Sequence, residues 1–174
     1  MKNLLRQVSS FIAPVVVGIV IPYLVLLQEH KSTSYPILTP SAILFIVGLA
    51  IGLAGLALFI ATVRIFIRVG KGTIMPWDPT RKLVVAGVYR HVRNPMILSV
   101  IVVLAGEAVL FASTGIALLA VFFLVLNTVY FMYSEEPGLV KRFGAEYIEY
   151  MKNVPRWIPR LEPWQPEAAK NQSG

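Results

Sequence analysis

The chain has 174 residues, of which 56% are hydrophobic and only 14% are charged, and its mean hydropathy is +0.69. A soluble domain normally carries about 25% charged residues, so the composition indicates a membrane protein. With no cysteine, disulfides, thiolate metal sites and cysteine nucleophiles are excluded. The two histidines, His30 and His91, are too few and too far apart for a metal cluster, so no metal site is predicted.

Four apolar stretches approach the roughly 20 residues that a helix needs to cross a bilayer. Backbone amides in hydrocarbon must be satisfied within their own segment, so each stretch is expected to be helical. The predicted spans are residues 11–28, 41–63, 95–112 and 115–133. The fold class is therefore all-α: a polytopic membrane bundle of four transmembrane helices, with residues 1–174 forming a single domain.

The first span is interpreted as a retained helix, because Gln-Glu-His-Lys follows it instead of a small-residue cleavage site. Of the sixteen Lys and Arg residues, only Lys31 lies in the loop after this span. The other fifteen lie at the N-terminus, in the loop around residues 64–93, or after the fourth span. Positive residues near spans stay in the cytoplasm, so both termini are expected there. Topology and anionic lipid thus explain the net charge of +7, and no nucleic-acid partner is predicted.

Several small or polar residues interrupt the apolar spans. Gly48, Gly52 and Gly55 have a spacing that lets helices approach closely, and simple packing is the favoured interpretation. Glu107 lies within the third span, where a carboxylate usually faces a cavity or a partner; function and a structural hydrogen bond are about equally favoured. Asn127 in the fourth span is expected to form an interhelical hydrogen bond.

The loop at residues 71–97 is too apolar and aromatic for a merely solvated linker. Gly87 permits a tight turn or close ligand approach, and Pro95 suits the first turn of the third span. Arg93 would then lie at a helix N-terminus, where anionic groups are favoured. The alternative is that Arg90 and Arg93 only extend to lipid headgroups.

A second polar segment, residues 134–160, follows the fourth span. Its adjacent carboxylates, Glu135 and Glu136, require a cation, and Arg90, Arg93 or a cationic ligand could supply it. Alternatively, the two glutamates cap a helix that begins at Pro137. A short C-terminal interfacial helix is predicted next, because one face of it carries the apolar residues of the segment. These are Leu139, Val140, Phe143, Tyr147 and Met151.

Together the two segments resemble the isoprenylcysteine carboxyl methyltransferase and phospholipid N-methyltransferase group of integral membrane enzymes. That pattern is Leu-Val-x-x-Gly-x-Tyr-x-x-x-Arg-His-Pro-x-Tyr, a helical hairpin, a Glu-Glu pair, Phe-Gly-x-x-Tyr-x-x-Tyr and a Val-Pro element. The matching residues here are Leu83, Val84, Gly87, Tyr89, Arg93, Asn94, Pro95, Met96, Ile97, Glu135, Glu136, Phe143, Gly144, Tyr147, Tyr150, Val154 and Pro155. The resemblance covers about residues 70 to 160.

The resemblance implies an enzyme that uses S-adenosylmethionine, with a cofactor pocket formed by residues 71–97 and 134–160. Glu135 falls where the family places an acidic residue near the reacting groups, and Glu136 would support it, so both are catalytic candidates. Methyl transfer from a sulfonium destroys positive charge and is favoured away from water, which a membrane-embedded pocket excludes. The cofactor-binding residues it implies are Arg81, Lys82, Leu83, Val84, Tyr89, Arg93, Asn94, Pro95, Met96 and Ile97.

Three positions depart from the family pattern. Asn94 stands in place of the histidine and Ile97 in place of the final tyrosine, while Phe131 replaces the arginine that prenylcysteine enzymes carry four residues before the Glu pair. The last departure disfavours a prenylcysteine carboxylate and favours a neutral or amine lipid as acceptor. Glu107, Asn127 and Phe131 are weak substrate-site candidates.

Two other functions stay open. The departures at Asn94 and Ile97 suit a non-catalytic membrane assembly factor or lipid-binding protein on the same scaffold. Glu107 and Asn127 within the spans suit a small transporter or channel subunit, which ranks last because it leaves the cytoplasmic motifs unexplained. A prokaryotic inner membrane is the expected location, with the bilayer and an apolar or lipid-like methyl acceptor as partners.

Overall fold

A computed structural model describes residues 12–32, 42–70 and 83–166, and every regular element within them is helical, which confirms the predicted class. The first helical stretch, α1, comprises Ile12–Val15, a π-helical turn at Val16–Val20, and Ile21–Ser32. The remaining elements are α2 (Ala42–Gly70), a 3₁₀ turn (Gly87–Arg90), α3 (Pro95–Leu110), α4 (Thr114–Tyr130), a second π-helical turn (Phe131–Glu135), α5 (Glu136–Phe143) and α6 (Ala145–Asn153).

Two helical stretches are long and apolar enough to cross a membrane: Ala42–Ile65 and Thr114–Phe143. Val16–Glu29 and Pro95–Leu110 are shorter apolar helices. All four overlap predicted spans. Two membrane-length helices are therefore present in the described residues, and the full set of four stays a prediction.

The chain divides into two compact units. Unit 1 includes the described residues up to Phe59 together with Ile97–Thr128, and unit 2 includes those of Ile60–Met96 and from Val129 onward. The core of unit 1 consists of buried apolar residues on α3 and α4, against which α1 and Phe59 pack. Those buried residues are Val100, Leu104, Ile116 and Ala120.

Within unit 1, α2 and α3 approach at their glycines. A Cβ atom on Gly48 would collide with the backbone of Leu110, and one on Gly106 would collide with the backbone of Gly52 and lie 2.9 Å from the carbonyl oxygen of Gly48. Only residues without a side chain permit this backbone-to-backbone contact. The packing interpretation of the Gly48 and Gly52 spacing is confirmed, and Gly106 is its counterpart on α3.

A short connection joins α3 to α4, as expected from predicted spans that end at residue 112 and start at residue 115. Ser113 caps α4, because its hydroxyl accepts a hydrogen bond from the Ile116 amide at 3.1 Å. Glu29 on α1 completes the cap: its carboxylate accepts hydrogen bonds from the Ser113 hydroxyl at 2.6 Å and the Gly115 amide at 2.7 Å. A carboxylate at this position also offsets the positive end of the α4 dipole.

The helix that starts at Thr114 continues to Phe143, so no break occurs where a new helix was predicted at Pro137. Glu135 occupies the N-cap position of α5 but makes no side-chain capping bond, which removes the predicted capping role at this site. Pro137 has no amide hydrogen to donate. The helix nevertheless continues through it, with a π-helical turn at Phe131–Glu135 directly before this segment.

Gly144, with a φ of +58°, separates α5 from α6. The apolar face predicted to lie against the membrane surface packs inside unit 2 instead. Tyr147, Tyr150 and Val154 are buried there, and further apolar residues pack around them. Those residues are Leu83, Val85, Leu139, Val140, Phe143, Met151 and Trp164. This apolar stripe therefore forms part of the core of unit 2, and the interfacial location of the helix stays a prediction.

Candidate functional site

Unit 2 brings the first motif segment and the C-terminal residues together through main-chain hydrogen bonds. The Arg93 amide donates to the Pro155 carbonyl at 2.9 Å, the Arg160 amide to the His91 carbonyl at 3.0 Å, and the Trp164 amide to the Arg90 carbonyl at 2.9 Å. We call residues 155–164 the C-terminal strap. It bonds to three residues of the segment that leads into α3: Arg90, His91 and Arg93.

Side chains reinforce the same contact. The Arg90 Nε donates to the Trp164 carbonyl at 2.7 Å, and the His91 Nδ1 is 2.8 Å from the Arg160 carbonyl oxygen. Arg90 is therefore bonded within the protein. The alternative interpretation, in which Arg90 only extends to lipid headgroups, therefore does not hold.

The turn before this segment depends on Gly87, whose φ of +52° lies in the left-handed region. A Cβ atom there would also lie 2.5 Å from the Cδ1 of Ile65, at the end of α2. The predicted tight turn is confirmed. It redirects the chain so that Tyr89 is buried and Arg93 faces the glutamate pair.

A buried tyrosine group fixes the position of this turn. The Tyr150 hydroxyl donates to the Tyr89 carbonyl oxygen at 2.6 Å, and the Tyr150 ring packs on those of Tyr147 and Trp164 at 6.0 and 5.8 Å. Burial raises the pKa of Tyr89 and of Tyr150 well above the ordinary value for tyrosine. Burial, and then the negative charge of Glu136, raise the pKa of Tyr147 to about 12.

Glu136 joins the two motif segments. Its carboxylate accepts a hydrogen bond from Arg93 Nη1 at 2.7 Å, and two from Arg156, from Nε and Nη2, both at 2.9 Å. The side chains of Glu136 and Arg93 are each only 11% exposed. The cation that the twin carboxylates were expected to require is thus Arg93, together with an arginine from the C-terminal strap.

Two buried donors beside this cluster have no hydrogen-bond partner among the described residues: Arg93 Nε and Asn94 Nδ2. Two arginines against one carboxylate also leave the cluster with a positive surplus. A buried donor without a partner costs about 1–3 kcal/mol, so a site of this kind favours a ligand that offers acceptor oxygens, such as a carboxylate. Pro95, fully buried, starts α3 directly after Asn94.

The second glutamate has a different environment. Glu135 lies in the π-helical turn, is partly exposed, and accepts a hydrogen bond from the Tyr130 hydroxyl at 3.3 Å. Phe131, in the same turn, packs edge-on against Trp157 of the C-terminal strap, with 5.9 Å between ring centroids. Unit 2 therefore places Glu135 and Phe131 on the turn that leads directly to Glu136.

The other predicted cofactor residues fall in three places. Arg81 and Lys82 lie outside the described residues. Leu83 packs against the Tyr147 and Tyr150 core, and Val84 is buried. Met96, half-buried, belongs to unit 2, and Ile97, also half-buried, to unit 1.

Glu107 and Asn127, two of the weak substrate candidates, belong to unit 1. Asn127 Nδ2 donates to the Phe123 carbonyl of its own helix at 2.7 Å, so this donor does not make the expected interhelical bond. Glu107 Oε2 is buried and has no hydrogen-bond partner among the described residues. It thus retains the functional interpretation that the sequence left open.

Sequence reasoning missed two residues of unit 2, Arg156 and Trp164. The Val-Pro element was recognised, but the arginine directly after it carried no periodic or family signal. Its position in a segment of alternating prolines and aromatic residues was the available clue. Trp164 lies beyond the second motif segment and was not singled out, whereas its ring packs on Tyr150.

A comparison with protein families places this geometry in context. The family model described as phospholipid methyltransferase matches residues 43–146, more than half of the chain. The match includes α2, the Arg93–Pro95 motif, the α3–α4 hairpin and the glutamate pair, and it confirms the resemblance identified from these motifs. No curated protein and no solved structure matches the chain.

Proposed function

Because the chain belongs to the phospholipid methyltransferase family, we propose that it transfers a methyl group from S-adenosylmethionine to a lipid-like or otherwise apolar acceptor at the cytoplasmic face of a membrane. The observation that carries this proposal is the pair of unpartnered buried donors on Arg93 and Asn94. They lie where the two motif segments are joined by the Arg93–Glu136 ion pair.

The residues present suit S-adenosylmethionine, which carries a carboxylate, an amine, ribose hydroxyls and a flat adenine ring. Arg93 Nε and Asn94 Nδ2 are donors of the type that holds a carboxylate. Glu135, partly exposed on its turn, suits the amine or a ribose hydroxyl. When bound, this cofactor supplies an electrophilic methyl group. Binding and orientation by the protein would supply much of the catalysis.

Glu136 is better suited to support than to chemistry. Its carboxylate already accepts three hydrogen bonds from two guanidinium groups. Glu135 is the carboxylate with free capacity, and it is the group we propose to accept a proton from an amine or hydroxyl acceptor. We therefore assign Glu135 the catalytic role and Glu136 the role of holding Arg93 in place.

The acceptor we propose is a neutral or amine lipid. Phe131 places an aromatic ring against Trp157, where an arginine would be needed to bind a prenylcysteine carboxylate. An apolar surface with Glu135 beside it suits an acceptor with a neutral reacting group, or an ammonium that gives its proton to Glu135 before its nitrogen attacks the methyl group.

We also propose that all four apolar helices cross the membrane, with both termini in the cytoplasm. Fifteen of the sixteen Lys and Arg residues would then lie on the cytoplasmic side. The motif segments that carry Arg93 and Glu136 would open toward the inner leaflet, where a lipid acceptor is available. A prokaryotic inner membrane is the proposed location.

A titration of the full-length protein in detergent with S-adenosylhomocysteine tests the binding site. Asn94→Ala removes a donor to a charged group, worth about 1.5–3 kcal/mol, so affinity should fall at least tenfold. Asn153→Ala is the matched control, because Asn153 Nδ2 bonds only to the Glu149 carbonyl of its own helix. Equal affinity in the two variants would remove Asn94 from the site.

The titration, combined with an assay for methyl transfer from S-adenosylmethionine, separates the enzyme from the non-catalytic alternative. Tight binding of S-adenosylhomocysteine without methyl transfer to any lipid would favour a cofactor-binding protein that has lost its chemistry. The asparagine and isoleucine at positions 94 and 97 motivate that alternative.

A further inference from the structure

The C-terminal strap exposes two aliphatic side chains almost completely. Leu161 is 97% exposed and Ile158 is 79% exposed, the largest exposed fractions of any large hydrophobic residue that the structure describes. Each side chain in this state forgoes about 1.5–3 kcal/mol of hydrophobic stabilisation. Such a pair on one short loop indicates a surface that something apolar covers.

The strap holds these side chains outward. The Arg160 amide donates to His91, the Trp164 amide to Arg90, and the Arg160 Nη1 to the Asn153 carbonyl at 2.9 Å. Leu161 lies between the two bonded residues, Arg160 and Trp164, and Ile158 lies two positions before Arg160. The backbone on both sides of Leu161 is thus fixed to the Arg90–Arg93 segment.

An aromatic contact places the strap beside the end of the long apolar helix. Trp157 packs on Phe131, within the π-helical turn. At this turn the sequence changes from apolar residues to Ser134-Glu-Glu, and Tyr130 and Tyr133 on either side of Phe131 are exposed. Exposed tyrosines next to a partly exposed tryptophan, at the polar end of an apolar helix, are typical of the membrane–water interface.

The backbone chemistry of the strap also suits an interface. Pro159 and Pro163 have no amide hydrogen, so fewer donors would lose water when the loop enters the headgroup region. Arg160, partly exposed, and Lys152, exposed on α6, carry positive charge that anionic headgroups would attract.

We propose that the tip of the strap, Ile158 and Leu161, inserts into the boundary between headgroups and acyl chains of the adjacent leaflet. The occupant is lipid and not a second copy of the chain, because two side chains fall far short of the roughly 800 Å² per partner that stable protein interfaces bury. The strap thereby fixes the Arg90–Arg93 segment at the membrane surface. This anchoring does not depend on which reaction the site performs.

The absence of cysteine from the chain makes single-cysteine labelling direct. Leu161→Cys, Ile158→Cys and, as a matched exposed control on α6, Glu146→Cys would each be labelled with a polarity-sensitive fluorophore and reconstituted in lipid nanodiscs. Labels at positions 158 and 161 should be quenched by nitroxide lipids. Aqueous iodide should quench them several-fold less than the label at position 146.

Two results would overturn the proposal. Iodide quenching at positions 158 and 161 that equals the control would mean that the tip lies in water. Protection from iodide without quenching by nitroxide lipids would mean that protein covers the tip, and a disulfide between two copies of Leu161→Cys would identify that protein as a second copy. Neither result bears on whether the chain binds S-adenosylhomocysteine.

Discussion

The two adjacent glutamates show how neighbouring residues of one type acquire different properties. Glu136 is 9% exposed and its carboxylate lies between Arg93 and Arg156, whereas Glu135 is partly exposed and accepts one long hydrogen bond from Tyr130. A buried carboxylate between two guanidinium groups stabilises the fold mainly because neither arginine could be left buried alone. The two residues should therefore respond differently to the same substitution.

Glu136→Gln removes the charge that Arg93 and Arg156 share, and breaking a buried ion pair costs about 3 kcal/mol. Its thermal unfolding midpoint in detergent should fall by several degrees. Glu135→Gln should change the free energy of unfolding by no more than about 0.5 kcal/mol, while methyl transfer is strongly reduced. Equal loss of stability in the two variants would contradict the separate roles.

The buried tyrosines predict a loss of stability in alkali. An acidic group whose pKa is raised by folding stabilises the native state fully below its unfolded pKa, near 10, and loses this contribution as the pH rises through its folded pKa. Burial raises the pKa of Tyr147 to about 12 and that of Tyr150 further. The unfolding midpoint in non-ionic detergent should therefore decline from about pH 10 upward.

Tyr150→Phe provides the control for this prediction. The variant loses the hydrogen bond to the Tyr89 carbonyl, worth about 1 kcal/mol, so its midpoint should be lower at pH 8 and its decline above pH 10 shallower. Parallel curves for the two proteins would show that Tyr150 does not contribute to the alkaline transition.

At the level of elements, the contact between α2 and α3 depends on individual glycines. Gly106→Ala would place a methyl group less than 3 Å from the backbone of Gly48 and Gly52, and such overpacking typically costs about 1–3 kcal/mol. Gly52→Ala is the matched control, because nothing lies within 4 Å of its added carbon. The first variant should unfold at a lower temperature and the second should be neutral or slightly stabilised. The opposite ranking would contradict the helix pairing.

The elements differ in how far the sequence predicts them. Unbroken apolar runs locate α2, α3 and α4 because hydrocarbon favours helices of that length. Pro137 suggested a helix start, yet the helix passes through it. The π-helical turn that permits this has no local sequence signature, since a wider turn depends on packing of the whole segment.

At the scale of the whole molecule, the motifs predict which segments meet, but not all the residues that join them. The approach of Arg93 to the glutamate pair follows from charge and from the family pattern. Arg156, Trp164 and the Glu29 cap on α4 were missed, because contacts over 20, 74 and 84 or more positions leave no period in the sequence. The inward packing of the α5–α6 apolar face was also missed, since periodicity identifies an apolar face but not what covers it.

A protein that transfers methyl groups to lipid should be active as the whole chain in a bilayer. The full-length protein, reconstituted with total membrane lipid and given S-adenosylmethionine labelled in its methyl group, should release a labelled product that partitions into organic solvent. Glu135→Gln and Asn94→Ala should lower the rate, and Asn153→Ala should not. If the protein binds S-adenosylhomocysteine but all of the labelled methyl group stays in the aqueous phase, lipid methylation would be contradicted.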